Sequence, residues 1–476
     1  TSHTYEVKQA ESADTDLGPQ RGSIVVGKSD TVKEIVLEAN RYDLTFQVTP
    51  ADAEFAVKDE KGEVLKAKSA GSGSYIYEVV NGAYTYTAEK FGYEPVEKTV
   101  TVDHGDKEES VGLTELSKGQ VSFSFTFEGE KVSADEFDFD ITCGDYSAEV
   151  EDGKVILYRG YQYDYVIRSK EYKKIAGTIN ADSGTVSVTL DRKTAWEGQG
   201  DLSEPEADEN GVYQISNGGE LAWFAALVNG TLEGTGQNKT AKAVLTKDID
   251  LGGEIWTPIG TSSANRFGGT FEGQGYAIEN LATREGSDYQ GLFGYIDTGG
   301  KVSNLTITGT VKGRNYVGAA AGYNYGTIEN VVNEAAISAT GQSTGGIAGY
   351  LNKGTILSCI NNGAVTNPYS STSASCGTGG ICGYAASSAV ISNSANHGDV
   401  NGVNMYSVGG IAGYISSSTL ENVYNTGNVT GKRAGGLIGY STSLTVKKAY
   451  NAGIVTTTGT YAGELIGYVY SSLTAE

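Results

Sequence analysis

The stretch Gly345-Gly346-Ile347-Ala348-Gly349-Tyr350, with Thr355-Ile356-Leu357-Ser358-Cys359-Ile360-Asn361 behind it, carries the fold, because both phrases return along the chain. The first recurs as GLFGY at Tyr295, GAAAGY at Tyr323, GGICGY at Tyr384, GGIAGY at Tyr414, GGLIGY at Tyr440 and GELIGY at Tyr468. The tyrosine spacings are 28, 27, 34, 30, 26 and 28 residues. The second returns as TIENVVN to Asn333, VISNSAN to Asn396, TLENVYN to Asn425 and TVKKAYN to Asn451. A third, short phrase surrounds Val429 in GNVTG. Three short apolar runs per repeat, each bounded by Gly or Asn, match one coil of a parallel β-helix.

Strand alternation assigns the positions. Ile347 points into the core, so Tyr350 and its equivalents point outward or sit at a corner. Tyr295, Tyr323, Tyr350, Tyr384, Tyr414, Tyr440 and Tyr468 thus form a candidate binding ladder for sugar rings or a partner's apolar strip. The plainer reading is that they stack on one another and shield the backbone. Asn333, Asn361, Asn396, Asn425 and Asn451 are expected to stack as a hydrogen-bonded structural ladder. The 34-residue repeat holds NPYSSTSASCGT near Pro368, an insertion expected to bulge from one corner.

Upstream, Asn217-Gly-Gly-Glu220-Leu-Ala-Trp-Phe-Ala-Ala-Leu-Val-Asn229-Gly230 reads as a short capping helix. Asn217 is its N-cap, Glu220 closes the box and Gly230 ends it. Leu221, Phe224, Ala225 and Val228 form the expected apolar face.

Composition divides the 476 residues in two. Residues 1–210 hold 42 acids, 22 bases and 19 glycines, whereas 211–476 hold 16, 13 and 47. The net charge of −23 therefore belongs mostly to the first part. Residues 194–210, TAWEGQGDLSEPEADEN, are acidic and apolar-poor and read as a linker. Before it, Val26–Leu37, Val102–Leu113 and Ile179–Leu190 each place two aliphatics 11 residues apart around a polar centre, a strand–turn–strand pattern read as a closing hairpin. Gly82-Ala-Tyr84-Thr-Tyr86 matches Gly160-Tyr-Gln-Tyr163-Asp-Tyr165. Two β modules follow, 41–116 and 117–193, with 1–40 as the tail of a truncated third. This pattern resembles PEGA or immunoglobulin-like β-sandwiches, which implies spacers.

The segment from Tyr213 to Tyr468 resembles the GLUG-repeat β-helices of bacterial surface proteins. Its lead-in YQISNGGELAWFAALVNG, LTKDIDLGGEIWTPIG and FGGTFEGQGYAIENL is as characteristic as the repeats. The resemblance implies a right-handed parallel β-helix on a secreted, cell-surface protein, and makes Asp248 and Asp250 structural turn residues. GLUG repeats also occur beside zinc peptidases, but the required H-E-x-x-H helix is absent, since His3, His104 and His397 are never followed by Glu. The expected architecture is all-β: small β-sandwich modules, then a β-helix over 211–476 with an N-terminal capping helix.

Chemistry is sparse in the sequence. Acidity and the lack of a basic stripe argue against nucleic acid. No apolar run is long enough to span a membrane. The chain starts Thr-Ser-His, which reads as a processed or excised fragment. In the repeat body only Glu329 and Glu421 share a repeat position, and two coils part them, about 14 Å at one coil spacing per step. Asp288 and Asp297 flank GLFGY and are read as having no basic partner. The run Asp135-Glu136-Phe-Asp138-Phe-Asp140 reads as a solvated strand face, with calcium as the sharper alternative. Cys143, Cys359, Cys376 and Cys382 show no C-x-x-C spacing. They are expected as small thiols, or as a Cys376–Cys382 or Cys359–Cys376 disulfide. No catalytic residue, metal site or cofactor is expected. The expected function is a non-enzymatic extracellular bacterial surface protein whose partner is a host glycan or a host or bacterial surface protein. The alternatives are a carbohydrate-binding or polysaccharide-cleaving β-helix, and a passive stalk.

Overall fold

The computed structural model describes residues 2–8, 16–27, 32–373 and 375–475. The chain divides into two compact units, residues 1–167 with 175–190, and residues 168–174 with 191–476. The described residues are nearly all β, with one short α-helix among them.

The first unit holds two modules of one topology. In the first, strand Tyr42–Thr49 lies between Ser74–Val79, antiparallel, and Lys107–Gly112, parallel. A second sheet joins Glu54–Lys58, Gly82–Glu89 and Val96–Val102. Leu44, Phe46 and Val48 from one sheet meet Tyr84, Tyr86, Val100 and Val102 from the other in a buried core. The second module repeats the plan. Lys118–Phe127 pairs antiparallel with Lys154–Tyr158 and parallel with Thr185–Thr189, while Tyr163–Arg168 pairs with Ile175–Ile179. Phe91 of the first module stacks on Tyr146 and Tyr161 of the second, with ring centroids 4.4 and 4.3 Å apart.

The expected closing hairpin needs correction. Its two strands exist, but they lie in opposite sheets: Val96–Val102 joins Gly82–Glu89, whereas Lys107–Gly112 joins the opening strand. The polar centre is a bridge between sheets rather than a hairpin turn. Sequence alternation finds strands without showing which neighbour each one pairs with. Among the described residues of 1–40, Ser2–Val7 pairs with Gln20–Val25 and residues 32–38 join no sheet, so Val26–Leu37 forms no hairpin either. The turn expected there falls partly on residues 28–31, outside the described set.

The second unit is a parallel β-solenoid of nine turns, following the column Val212, Lys242, Thr270, Lys301, Thr327, Thr355, Val390, Thr419, Thr445 and Thr474. At about 4.8 Å per coil this is a rod of about 43 Å. One continuous core runs inside it, from Ile215 through Ile328, Ile356, Ile391 and Leu420 to Leu444.

The helix Gly218–Asn229 closes the N-terminal end. Asn217 accepts the Glu220 N–H at 3.0 Å, and the Glu220 carboxylate takes the Ser216 N–H and hydroxyl at 2.7 and 2.9 Å. Gly230 ends the helix in the left-handed region, at φ 73°. All its residues but Ala226 are buried, not only the expected face. The cover comes from the segment expected to be a linker. Trp196 is buried, donates its backbone N–H to Asp250 O and its indole N–H to Asp201 O. Ser203 N–H reaches Gly219 O at 3.1 Å. Residues 201–206 alternate buried and exposed, with Asp201, Ser203 and Pro205 inward and Leu202, Glu204 and Glu206 outward. Averaged composition hides that alternation, so the stretch from Trp196 to Pro205 is anchored beside the helix rather than a free linker.

Candidate functional site: the stacked columns of the solenoid

Coil-on-coil pairing places all seven repeat tyrosines in one register column, Tyr295 through Tyr468. Successive ring centroids lie 5.3, 4.4, 4.6, 4.5, 5.4 and 5.2 Å apart. Tyr295, Tyr414 and Tyr440 are buried, and Tyr323, Tyr350, Tyr384 and Tyr468 are half-buried. The rings do leave the core, as alternation requires, but each lies over its neighbours. The column therefore offers partly covered rings rather than open aromatic platforms. Burial pushes the phenol pKa values of Tyr295, Tyr323, Tyr350, Tyr384 and Tyr440 upward.

Two features of this face were missed in the sequence. Tyr289 and Tyr316 stack beside the first rungs, 5.1 Å apart and nearly parallel, with Tyr289 also 4.5 Å from Tyr295. Both have positive φ, 58°, unusual for a bulky residue. Arginines lie at both ends of the column. Arg266 lies 4.9 Å from the Tyr325 ring and 6.0 Å from Tyr295. Arg433 sits among four rings, Tyr406, Tyr440, Tyr461 and Tyr468, and donates to the Tyr406 hydroxyl. Except for Tyr440, these partners lie on other coils than the arginine, so no local motif marks them.

The five repeat asparagines form the second column. Asn333 donates to Asn361, Asn361 to Asn396, Asn396 to Asn425 and Asn425 to Asn451, at 2.7–2.8 Å. The amide nitrogens of Asn361, Asn396, Asn425 and Asn451 also each reach the carbonyl oxygen two residues on. Asn333, Asn361, Asn396 and Asn425 are wholly buried. Such a saturated buried amide row holds coils in register and leaves no free valence for a ligand. An outer corner column lies nearby: Asn304, Asn330, Asn393 and Asn422 all take φ between 49° and 57°, with Ser358 between Asn330 and Asn393. Its signal in the sequence is an Asn three residues before the ladder Asn, as at Asn330 and Asn422. Asparagine suits it because its amide tolerates the left-handed corner and bonds across coils, as Asn422 does to Asn393 at 2.8 Å.

Several of the acids singled out in the sequence are engaged. Glu329 pairs with Lys301 at 2.6 Å and is separated from Glu421 in its column by Leu357 and Ser392. Asp248 accepts the Ala277 N–H, and Asp250 accepts the Gly252 N–H and the Asn280 amide, as turn residues do. Asp288 and Asp297 do have basic partners, contrary to the sequence reading. Arg314 grips Asp288 through two 2.8 Å bonds, and Arg266 approaches Asp297 at 3.7 Å. The Arg314 guanidinium beside it holds the Asp288 carboxyl below its ordinary value. A polar cavity of about 440 Å³ lies beside the capping helix. There Lys193 and Asp201 pair at 2.6 Å, and Glu220 is spent on Ser216. In the first unit Asp138 and Asp140 are exposed, with Phe137 buried between the sheets. No group of metal-ligating side chains occurs among the described residues.

All four cysteines are free thiols, so neither weighed disulfide forms. Burial pushes Cys359 and Cys382 up to about 12, which keeps both protonated and unreactive. Among the described residues no helix is long and apolar enough to cross a membrane.

No family model matches the chain. It is 48% identical over 92 residues, 18% of its length, to a protein of Evansella cellulosilytica named as a Gly-rich membrane protein. It is 35% identical over 126 residues, 24% of its length, to halomucin of Haloquadratum walsbyi. The matches span 10% of the first relative and 1% of the second. Among solved structures, the Bacillus anthracis TIE protein covers 40% of the chain at 18% identity and TM-score 0.23, with 42% of that structure matched. A streptococcal ancillary pilin covers 40% at 14% identity and TM-score 0.24, with 75% of it matched. Scores this low establish no likeness of fold.

Proposed function

We propose that this chain is a non-enzymatic extracellular surface protein of the GLUG-repeat kind, in which acidic β modules act as spacers and the solenoid is the presenting element for adhesion or partner contact. The observation that carries it is the nine-turn solenoid, whose Asn ladder is bonded coil to coil and in which Glu329 and Asp288 are tied to Lys301 and Arg314. Such a surface suits shape presentation better than bond cleavage. The names of the two relatives, a Gly-rich membrane protein and halomucin, are compatible with a cell-surface setting. The half-buried middle of the phenol row, Tyr323 to Tyr384, is the candidate contact strip, for a host glycan or a protein of the host or bacterial surface.

The test has two parts. Antibody against the solenoid should label intact, unpermeabilised cells of the source organism. A glycan and surface-protein array should show binding that Tyr350→Ala with Tyr384→Ala abolishes. Labelling only after permeabilisation removes the surface assignment. Binding unchanged in the double variant removes the tyrosine strip.

A further inference from the structure

Both modules connect their ends in the same way. In the first, the opening strand pairs in parallel with the closing strand over six residues, Leu44–Thr49 against Lys107–Gly112. In the second, Ser122–Thr126 pairs in parallel with Thr185–Thr189 over five. The ladders are extended by Leu113 N–H to Thr49 O at 2.9 Å and by Leu190 N–H to Thr126 O at 2.8 Å. Only residues 113–117 separate the first module's closing strand from the second's opening strand, and Leu116 N–H is fixed to Gly92 O.

The geometry points to a force-bearing role: each module is a shear clamp that resists tension along the chain. Tension enters a module at the start of its opening strand and leaves at the end of its closing strand. Because those two strands are parallel neighbours, these points lie at opposite ends of one ladder. The ladder's hydrogen bonds are then loaded together and must fail together. An antiparallel pair pulled from its shared end would open one bond at a time. The buried contacts of Leu44, Phe46, Val48 and Val111 must slide in the same event. The solenoid is built the other way. Its coils follow one another in chain order, so end-to-end tension strips them singly from an end. The inference deepens the spacer reading, since a surface tether under flow needs modules that hold, but it rests on strand pairing alone.

Single-molecule force spectroscopy on the intact chain, held by its two ends, tests it. Residues 42–112 and 118–189 should each release about 250 Å of chain at about 3.5 Å per residue, in two late events. These should need roughly twofold or more the force that strips single coils, because rupture is set by the unfolding barrier along the pulling direction. Module releases at or below the coil-stripping force would overturn the inference. A second geometry removes the question of misfolded variants. A handle on an Arg159→Cys, Cys143→Ser variant, pulled against the N-terminus, opens Lys118–Ser122 from Lys154–Tyr158 at their shared end. The second module should then yield at a clearly lower force than in the end-to-end pull. An unchanged force would show that the parallel pair is not the clamp. Cell labelling decides the surface reading independently: a protein that fails there still answers the pulling experiment.

Discussion

Turn glycines of the modules and column glycines of the solenoid do opposite work. In the modules, glycines such as Gly129 and Gly144 take positive φ in turns, and a Cβ there would meet nothing within 4 Å. In the solenoid, the column Gly363, Gly398, Gly427 and Gly453 places each Cα against the carbonyl oxygen of the coil before it, where a Cβ would overlap that oxygen. The turn glycines serve conformational freedom, and the stacked column glycines serve approach distance. The modules settle their cores through interlocked aromatic and aliphatic side chains between two sheets. The solenoid fixes the coil spacing first and then fills the resulting columns with like residues, Asn over Asn and Tyr over Tyr. A change that matters in one region should therefore be mild in the other.

The comparison breaks most sharply at Gly398. Gly398→Ala forces two coils apart and is expected to cost more than about 4 kcal/mol, while Gly129→Ala costs about 1 kcal/mol of backbone strain. All three tryptophans, Trp196, Trp223 and Trp256, lie in the second unit, so tryptophan fluorescence in urea reads that unit alone. Equal shifts for the two variants, each read in its own unit, would erase the distinction. Next comes Asn396→Leu, which strands the Asn361 amide and the Asn425 carbonyl oxygen in the core. The expected cost is about 2–3 kcal/mol by the same fluorescence readout. A loss below about 0.5 kcal/mol would show the ladder to be decoration.

Alkaline pH sharpens the contrast further. The solenoid phenols have folded pKa values raised above the unfolded value of 10.0 by burial, so their stabilising effect is present below pH 10 and disappears as pH rises through the folded values. The modules also hold raised phenols, Tyr77, Tyr84, Tyr86 and Tyr163, the last pushed up to about 12. Both units should weaken above pH 10, the solenoid's loss being read by tryptophan fluorescence. A solenoid signal flat to pH 11 would contradict the stacked column. The smallest effect is acidic. The lowered carboxyl pKa of Asp288 makes its contact with Arg314 stabilising above the unfolded value of 3.8, and that contribution fades as pH falls through the folded value. Asp288→Asn should cost about 1 kcal/mol at pH 7, since the pair is partly exposed, and nothing near pH 2. Paired urea melts at the two pH values check it.

Repetition made the second unit legible from sequence. Tyr350 and Asn361 recur at matched intervals, and register follows once the interval is known. The capping helix was legible because Asn217, Glu220 and Gly230 act through local backbone groups. What sequence hid was non-local. Arg314 lies 26 residues from Asp288, one coil away, and no local pattern joins them. Trp196 and Ser203 cover the helix from a segment whose average composition is that of a linker. The closing strands of the modules alternate as hairpin strands do, yet Val102 and Val111 sit in different sheets. The outward tyrosines were placed on the correct side of the strand, but their burial depends on neighbouring rings one coil away.

The central claim is that buried, coil-to-coil amide bonds hold the solenoid in register. Hydrogen exchange of the Asn side-chain amides, followed by NMR on protein labelled with 15N only at asparagine, tests it most directly. The account predicts strong protection at Asn361, Asn396 and Asn425, and fast exchange at exposed Asn210 and Asn401. Exchange of all five at the rate of free asparagine would contradict it.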